Sequence, residues 1–194
     1  PHGTLIVDIG GGTTDIALLS LGSTVLSTSI KVAGNKMDDD IVKYMRRKHN
    51  LLIGERTAEM LKMNIGTAWP RSEPLTCEVM GRNLLTGLPK SIEVTSEEIR
   101  EALSDPVSQI IDAIRSTLEK TPPELSADII DRGITLMGGG ALLRGLDTLI
   151  AAETDMPVYV ADNPLDCVAL GLAKKIEDPD AFEDYVYKRG RKFN

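Results

Sequence analysis

Two glycine triplets dominate the residues able to do chemistry. The first lies in Asp8-Ile9-Gly10-Gly11-Gly12-Thr13-Thr14-Asp15. Consecutive glycines allow positive φ and leave no side chains in the way, so their amide N–H groups can converge on an anion as a phosphate nest. The hydroxyls of Thr13 and Thr14 add donors. Asp8 and Asp15 cannot bind phosphate directly, but they can hold a Mg²⁺ through water, and Asp15 can orient an attacking water. A Walker loop needs GxxxxGK[ST], and the sequence has no such string. A Rossmann fingerprint needs a helix after the glycines, whereas residues 16–21 read as strand. The loop is therefore a hairpin turn. A plain glycine hairpin is the bland alternative, but triple glycine flanked by aspartates and followed by two threonines exceeds what a turn requires.

The second triplet lies in Ile134-Thr135-Leu136-Met137-Gly138-Gly139-Gly140-Ala141. An apolar strand, a glycine turn and a helix start make a ligand site at the carboxyl end of a strand. A third, weaker feature is Glu59 and Lys62, three apart on an expected helix and so on one face. They can clamp a ribose or a purine edge, although an exposed ion pair is the ordinary outcome of such spacing.

The elements that position these residues follow from periodicity and punctuation. Residues 5–7, 16–21 and 25–32 read as an antiparallel meander. A helix over 37–50 carries Asp38, Asp39 and Asp40 in its first turn and Arg46, Arg47, Lys48 and His49 in its last, which suits the helix dipole better than a metal site. His49 is expected to be solvent-exposed. A second helix covers 55–65, and a loop with Trp69-Pro70 covers 66–74. Short strands at 76–80 and 92–94 flank a Gly-rich connection, 81–89. Thr95-Ser96-Glu97-Glu98 is a capping box. It opens a helix to about residue 120 with Ile99, Leu103, Val107, Ile110, Ile111 and Ile114 on one face. Helix 123–131, strand 134–137, helix 141–152, strand 157–160 and helix 164–176 complete the order. The class is α/β, with residues 1–34 and 128–177 sharing a sheet, 35–127 inserted as a mostly helical upper subdomain, and 178–194 a polar tail. Its basic end, Lys188-Arg189-Gly190-Arg191-Lys192, reads as a solvated terminus.

With 194 residues, 42% hydrophobic and 26% charged, the chain can bury a core. A net charge of −7 argues against nucleic acid as a partner. Cys77 and Cys167 lie outside any CxxC and read as buried, reduced thiols of a cytosolic protein. No apolar run approaches the ~18–20 residues of a membrane span, so no direct membrane insertion is expected from this segment. The opening Pro1-His2-Gly3-Thr4 has no initiator methionine and reads as a chain cut at a loop.

Together the three features resemble the actin, heat-shock chaperone and sugar-kinase superfamily. The stretches VDIGGGTTDIALLSLG, IGERTAEMLKMNIGTA, TPPELSADIIDRGITLMGGGALLRGLD and MPVYVADNPLDCVALG resemble, in this order and over nearly the whole chain, the MreB family of bacterial actin homologues. The resemblance implies an actin-like ATPase fold: a ribonuclease H-like sheet domain with an inserted subdomain. It implies ATP with Mg²⁺, filament assembly from copies of itself, and cell-shape control at the inner face of the bacterial membrane beside membrane-anchored cell-shape or cell-wall proteins. Carried over by residue, Gly11, Gly12 and Thr13 should contact phosphates. Glu59 and Lys62 should contact ribose and base, with Met60 and Leu61 between them in the cofactor-binding stretch. Gly139, Gly140, Ala141 and Leu142 should line the nucleoside, with Asp15 and Thr14 catalytic and Asp8 on the metal through water. Relatives commonly carry Glu where this chain has Asp15. The family's first phosphate loop and water-orienting acid are expected upstream, so this segment should supply one wall of an ATP site and hydrolyse ATP slowly or not at all.

Three other functions fit parts of the pattern. A sugar- or acetate-type kinase of the same superfamily would need a sugar-binding cluster of Asn, Gln, Trp and His, which does not appear. A chaperone-like ATPase would need a substrate-binding domain beyond residue 176. A pure interaction module would leave two donor-rich loops without a task.

Overall fold

The computed structural model describes residues 3–177. Its central sheet has the order β3-β2-β1-β7-β8. Strands β1 (Gly3–Ile9), β2 (Thr14–Ser20) and β3 (Ser23–Ile30) form the expected antiparallel meander, and β7 (Ile134–Met137) and β8 (Val158–Val160) add in parallel on the other side of β1. Leu5, Val7 and Ile9 of β1 are fully buried, as the alternation of a strand with one face on the core requires. The register sets Asp8 directly opposite Asp15 on β2 and beside Met137 on β7. Both glycine triplets therefore emerge from the same end of adjacent strands.

Between β3 and β7 the chain builds α1 (Gly34–His49), β4 (Leu51–Leu52), α2 (Glu55–Ile65), β5 (Thr76–Asn83), β6 (Pro89–Thr95), α3 (Ser96–Glu119) and α4 (Pro123–Arg132). Strands β4, β5 and β6 form a second, antiparallel sheet. The β5–β6 hairpin is longer than its apolar residues suggested. Its ladder continues through Gly81–Lys90 and Arg82–Pro89, where polar residues on an exposed face carry no hydrophobic signal. Cys77 and Cys167 are free and half-buried rather than buried.

Helix α1 begins at Gly34, a turn before the expected start. The N–H groups of Gly34 and Asn35 donate to the carbonyls of Gly10 and Gly11 at 3.1 and 2.8 Å, so a tertiary contact caps the helix where no capping side chain exists. Asp38, Asp39 and Asp40 consequently fall in the second turn. They do not serve the dipole: Asp40 pairs with Lys36 and Lys43, and Asp38 is buried against Lys62.

The capping box holds: Glu98 N–H donates to Thr95 Oγ1 at 3.3 Å and Thr95 N–H to Glu98 Oε2 at 2.9 Å. His49, expected in solvent, is instead half-buried with its Nε2 2.6 Å from Glu98 Oε1. Tyr44, in the same seam, donates to Glu101 at 2.7 Å. Burial pushes Glu98 upward, but the Thr95 amide and His49 outweigh it and leave its carboxyl below the ordinary 4.5. A depressed carboxyl stabilises the fold above its unfolded value and loses that contribution as pH falls through the folded value. Glu98→Gln should therefore cost about 1 kcal/mol at neutral pH and flatten the loss of thermal stability below pH 4.5, as read by melting curves at graded pH.

The second glycine turn also departs from expectation. Residues 139–142 form a 3-10 turn, Gly139–Leu142, and α5 (Leu146–Thr154) starts only after Gly145, whose φ is +71°. The interruption has a cause. Arg144 forms a parallel bridge with Thr67, and Gly145 lies against Trp69 so closely that a Cβ there would sit 2.5 Å from the Trp69 Cβ. A continuous helix would break both contacts. The last described helix is α6 (Cys167–Glu177). The polar tail, 178–194, lies outside the described residues.

Candidate nucleotide site

A cavity of about 490 Å³ opens between the two glycine turns and the helices α1 and α2. Its lining includes Gly10, Gly11, Glu59, Lys62, Gly139, Gly140 and Leu142. All three features singled out in the sequence therefore meet at one place, although they lie on β-turns and a helix far apart in the chain.

The first turn is closed by Gly10 N–H donating to Thr13 O at 3.0 Å. Since Gly10 and Gly11 aim their carbonyls at α1, the trans peptide geometry sends the amide N–H groups of Gly11 and Gly12 away from it. These are the donors an anion would use. Gly12 is exposed, and a Cβ there would meet nothing within 4 Å. Thr13 donates its hydroxyl to Asp15 at 2.9 Å and so fixes that carboxylate. Thr14 is different. It is fully buried and its hydroxyl donates to Val32 O at 2.7 Å. β alternation turns Thr14 inward, away from the role expected of it, and Asp15 outward.

The second turn packs tightly on the first strand. A Cβ on Gly140 would lie 2.2 Å from Ile9 Cγ2, and one on Gly138, whose φ is +81°, 2.4 Å from Asp8 Oδ1. Gly138 N–H donates to Pro164 O at 2.8 Å, which brings Leu165 to the cavity wall. Ala141 is buried and does not line the cavity. Met60 and Leu61 lie apart from it as well. Leu61 is fully buried, and neither side chain is among the lining residues. Only positions three or four apart share a helix face, so Glu59 is joined by Lys62 and Met63.

Lys62 donates to Asp38 Oδ2 at 2.9 Å and to Gly34 O at 3.2 Å. Asp38 lines the cavity too, as do Asn35, Met37, Met63, Leu143 and Leu165, for which the sequence carries no ligand signal. Asp38 alone left a trace, since a run of three aspartates sat near the right turn.

The two cavity walls are tied together by Arg144. Its Nη1 donates to Met63 O at 2.8 Å near the end of α2, while Ala68 N–H and Thr67 Oγ1 donate to its own carbonyl at 2.8 and 3.2 Å. Arg144→Ala should cost about 1 kcal/mol, the net worth of one such hydrogen bond, and loosen α2 against the second turn. Faster amide exchange at residues 62–68 would register that loosening.

Asp8 is also electrostatically perturbed. Burial raises its carboxyl above the ordinary value, and the opposed Asp15 raises it further. A divalent cation relieves such repulsion. Among the described residues no group of three or more His, Cys, Asp or Glu could hold a metal alone. One or two carboxylates completed by ligand phosphates and water is, however, the usual environment of Mg²⁺; Asp8 with Asp15 offers that donor set, while Asp8, Gly12, Thr13 and Asp15 all lie outside the cavity lining.

Residues 1–184 match the family described as MreB/Mbl protein. The chain belongs to the MreB/Mbl family. It is 54% identical over 180 residues to the cell shape-determining protein Mbl of Bacillus cereus, covering 93% of this chain and 54% of that protein. It is 49% identical over 175 residues to the cell shape-determining protein MreB of Escherichia coli, covering 90% and 50%. It thus spans about half the length of these MreB/Mbl relatives. Among solved structures, MreB5 of Spiroplasma citri bound to AMPPNP superposes with a TM-score of 0.85 at 44% identity, covering 97% of this chain and 55% of that one. A MamK double helical filament superposes at 0.71 and 26% identity, covering 84% and 50%. The fold is that of the actin-like MreB and MamK proteins.

Proposed function

We propose that this chain forms the ATP-binding half of a bacterial actin-like protein that assembles into filaments and determines cell shape. The observation that carries it is the convergence of both glycine turns with Glu59 and Lys62 on one cavity, in a chain of the MreB/Mbl family. The Spiroplasma relative is bound to AMPPNP in one structure and ADP in another, and the MamK relative forms a double helical filament.

Within this reading Gly11 and Gly12 bind phosphate through their amides, and the second turn with Leu142, Leu143, Met63 and Leu165 takes the apolar base. Bound Mg²⁺ would neutralise phosphate charge, held by Asp8 and Asp15. Asp15, oriented by Thr13, is the exposed carboxylate beside the phosphates and the candidate to position a water. Hydrolysis needs charge stabilised from several sides, so groups outside this chain segment must complete the site. Filaments would lie at the inner face of the cell membrane and reach the cell wall through membrane-anchored partners. Among the described residues no helix is long and apolar enough to cross a membrane.

The test is sedimentation of the full-length protein with Mg-ATP, beside Asp15→Asn. The reading expects ATP-dependent pelleting, with phosphate release suppressed in the variant. Equal pelleting with and without nucleotide, together with unchanged phosphate release by the variant, would overturn it.

A further inference from the structure

A lysine on the wall of a nucleotide cavity is ordinarily taken for a phosphate ligand. Lys62 is arranged otherwise. An ammonium has three donors, and the protein engages two of them in hydrogen bonds, to Asp38 Oδ2 at 2.9 Å and Gly34 O at 3.2 Å, with Asp38 Oδ1 in ion-pair contact at 2.8 Å. Asp38 Oδ1 makes the contact without hydrogen-bond geometry, so Oδ2 carries the directed bond. Asp38 itself is 8% exposed. Burial pushes its carboxyl up, Lys62 pulls it back, and the nearby Glu59 charge pushes it up again. Glu59 and Asp38 therefore sense each other across the cavity wall. The pair Asp38–Lys62 has no net charge, and Glu59 leaves this wall negative.

We propose that Asp38 is a positioning residue that holds Lys62 away from the ligand's phosphates, so that the α1–α2 wall takes the hydroxyl-bearing sugar and the phosphates are confined to the Gly11–Gly12 side. The inference rests on the nucleotide reading above. The wall offers Glu59 as an acceptor for sugar hydroxyls and no free cation to an anion. A site built to hydrogen-bond a hydroxyl rejects an analogue that lacks it. Releasing Lys62 removes both properties at once.

The experiment is competition against a fluorescent ATP analogue on the full-length protein, with ATP, 2′-deoxyATP and inorganic tripolyphosphate as competitors. In Asp38→Asn, tripolyphosphate should bind about tenfold more tightly, as an uncompensated charge in a partly buried site allows. The preference for ATP over 2′-deoxyATP should fall to within about twofold of unity. Opposite changes for the two ligands separate positioning from simple damage, which weakens both. The double variant Asp38→Asn/Lys62→Gln leaves Glu59 untouched and has no cation to release, so it should bind tripolyphosphate as the wild type does and keep the sugar preference. It carries the test alone if Asp38→Asn does not fold. Parallel loss of both ligands in Asp38→Asn, or a double variant that binds tripolyphosphate at least about fivefold more weakly than the wild type, overturns the role of Asp38 and leaves nucleotide binding standing. A wild-type protein that binds neither ATP nor tripolyphosphate overturns the nucleotide reading, and the role of Asp38 with it.

Discussion

Asp8→Asn should raise the melting temperature of the ligand-free protein and at the same time weaken its Mg-dependent binding of ATP. The two effects have one cause. Asp8 faces Asp15 directly across β1 and β2, and like charges in that position destabilise a sheet by roughly 0.2–1 kcal/mol. Burial and Asp15 together raise the Asp8 carboxyl above its ordinary 3.8. A group raised in the folded state contributes stability fully present below its unfolded value and lost as pH rises through the folded value. The wild type should therefore lose stability on going from acidic to neutral pH through this group, and the asparagine variant should not. Under the proposed function, Asp8 and Asp15 would hold Mg²⁺, and the variant would remove one of these two anchors. ATP affinity in Mg²⁺ should fall about tenfold, roughly 1.4 kcal/mol, while affinity in excess chelator stays the same. Melting at graded pH and paired titrations check both halves. A variant less stable than wild type at neutral pH would contradict the electrostatic account of Asp8.

Gly138→Ala should be the most damaging single methyl in the site. Gly138 has φ +81°, and its added Cβ would sit 2.4 Å from Asp8 Oδ1 and 2.5 Å from the carbonyl oxygen of Ile9. Left-handed strain costs roughly 1–2 kcal/mol and overpacking another 1–3. With 1 kcal/mol worth about 2–4 °C in a domain of this size, the melting temperature should fall by roughly 10 °C, and nucleotide binding should weaken as the two turns separate. Gly139→Ala is the control. Its φ is ordinary and its Cβ would meet only the flexible end of Leu165, at 3.2 Å. A melting shift under about 2 °C is expected there. Equal shifts in the two variants would mean that β1 and the second turn are not packed as described.

How far the sequence led differs from residue to residue. The glycine triplets were legible because residue type alone sets what their backbone can do. The β1–β2–β3 meander and the Thr95 capping box were legible because alternation and capping are local. Glu59 and Lys62 were legible as a helix face. Their neighbours Met60 and Leu61 point elsewhere, because only one face of the helix reaches the cavity. Asp38 was misread because three aspartates near a helix start match the dipole pattern, whereas its true partner, Lys62, lies 24 residues further on. The early start of α1 depends on Gly10 and Gly11 carbonyls, and the break before α5 on the contacts of Arg144 and Gly145 with residues 67–69. Those are tertiary contacts with no local signature. Leu165 lines the cavity beside the Gly138–Pro164 hydrogen bond, a tertiary contact that no periodicity announces.

The central claim is that the cavity between the two glycine turns holds a nucleotide. Titration of the full-length protein with a fluorescent ATP analogue, with and without Mg²⁺ and beside Gly139→Asp, tests it most directly. The carboxylate would enter the cavity wall next to Leu165, where it should repel the ligand without disturbing β1. Saturable, Mg²⁺-dependent binding that is lost in a folded Gly139→Asp variant is the predicted result. Binding of equal strength in that variant, or no saturation in the wild type up to millimolar analogue, would contradict it.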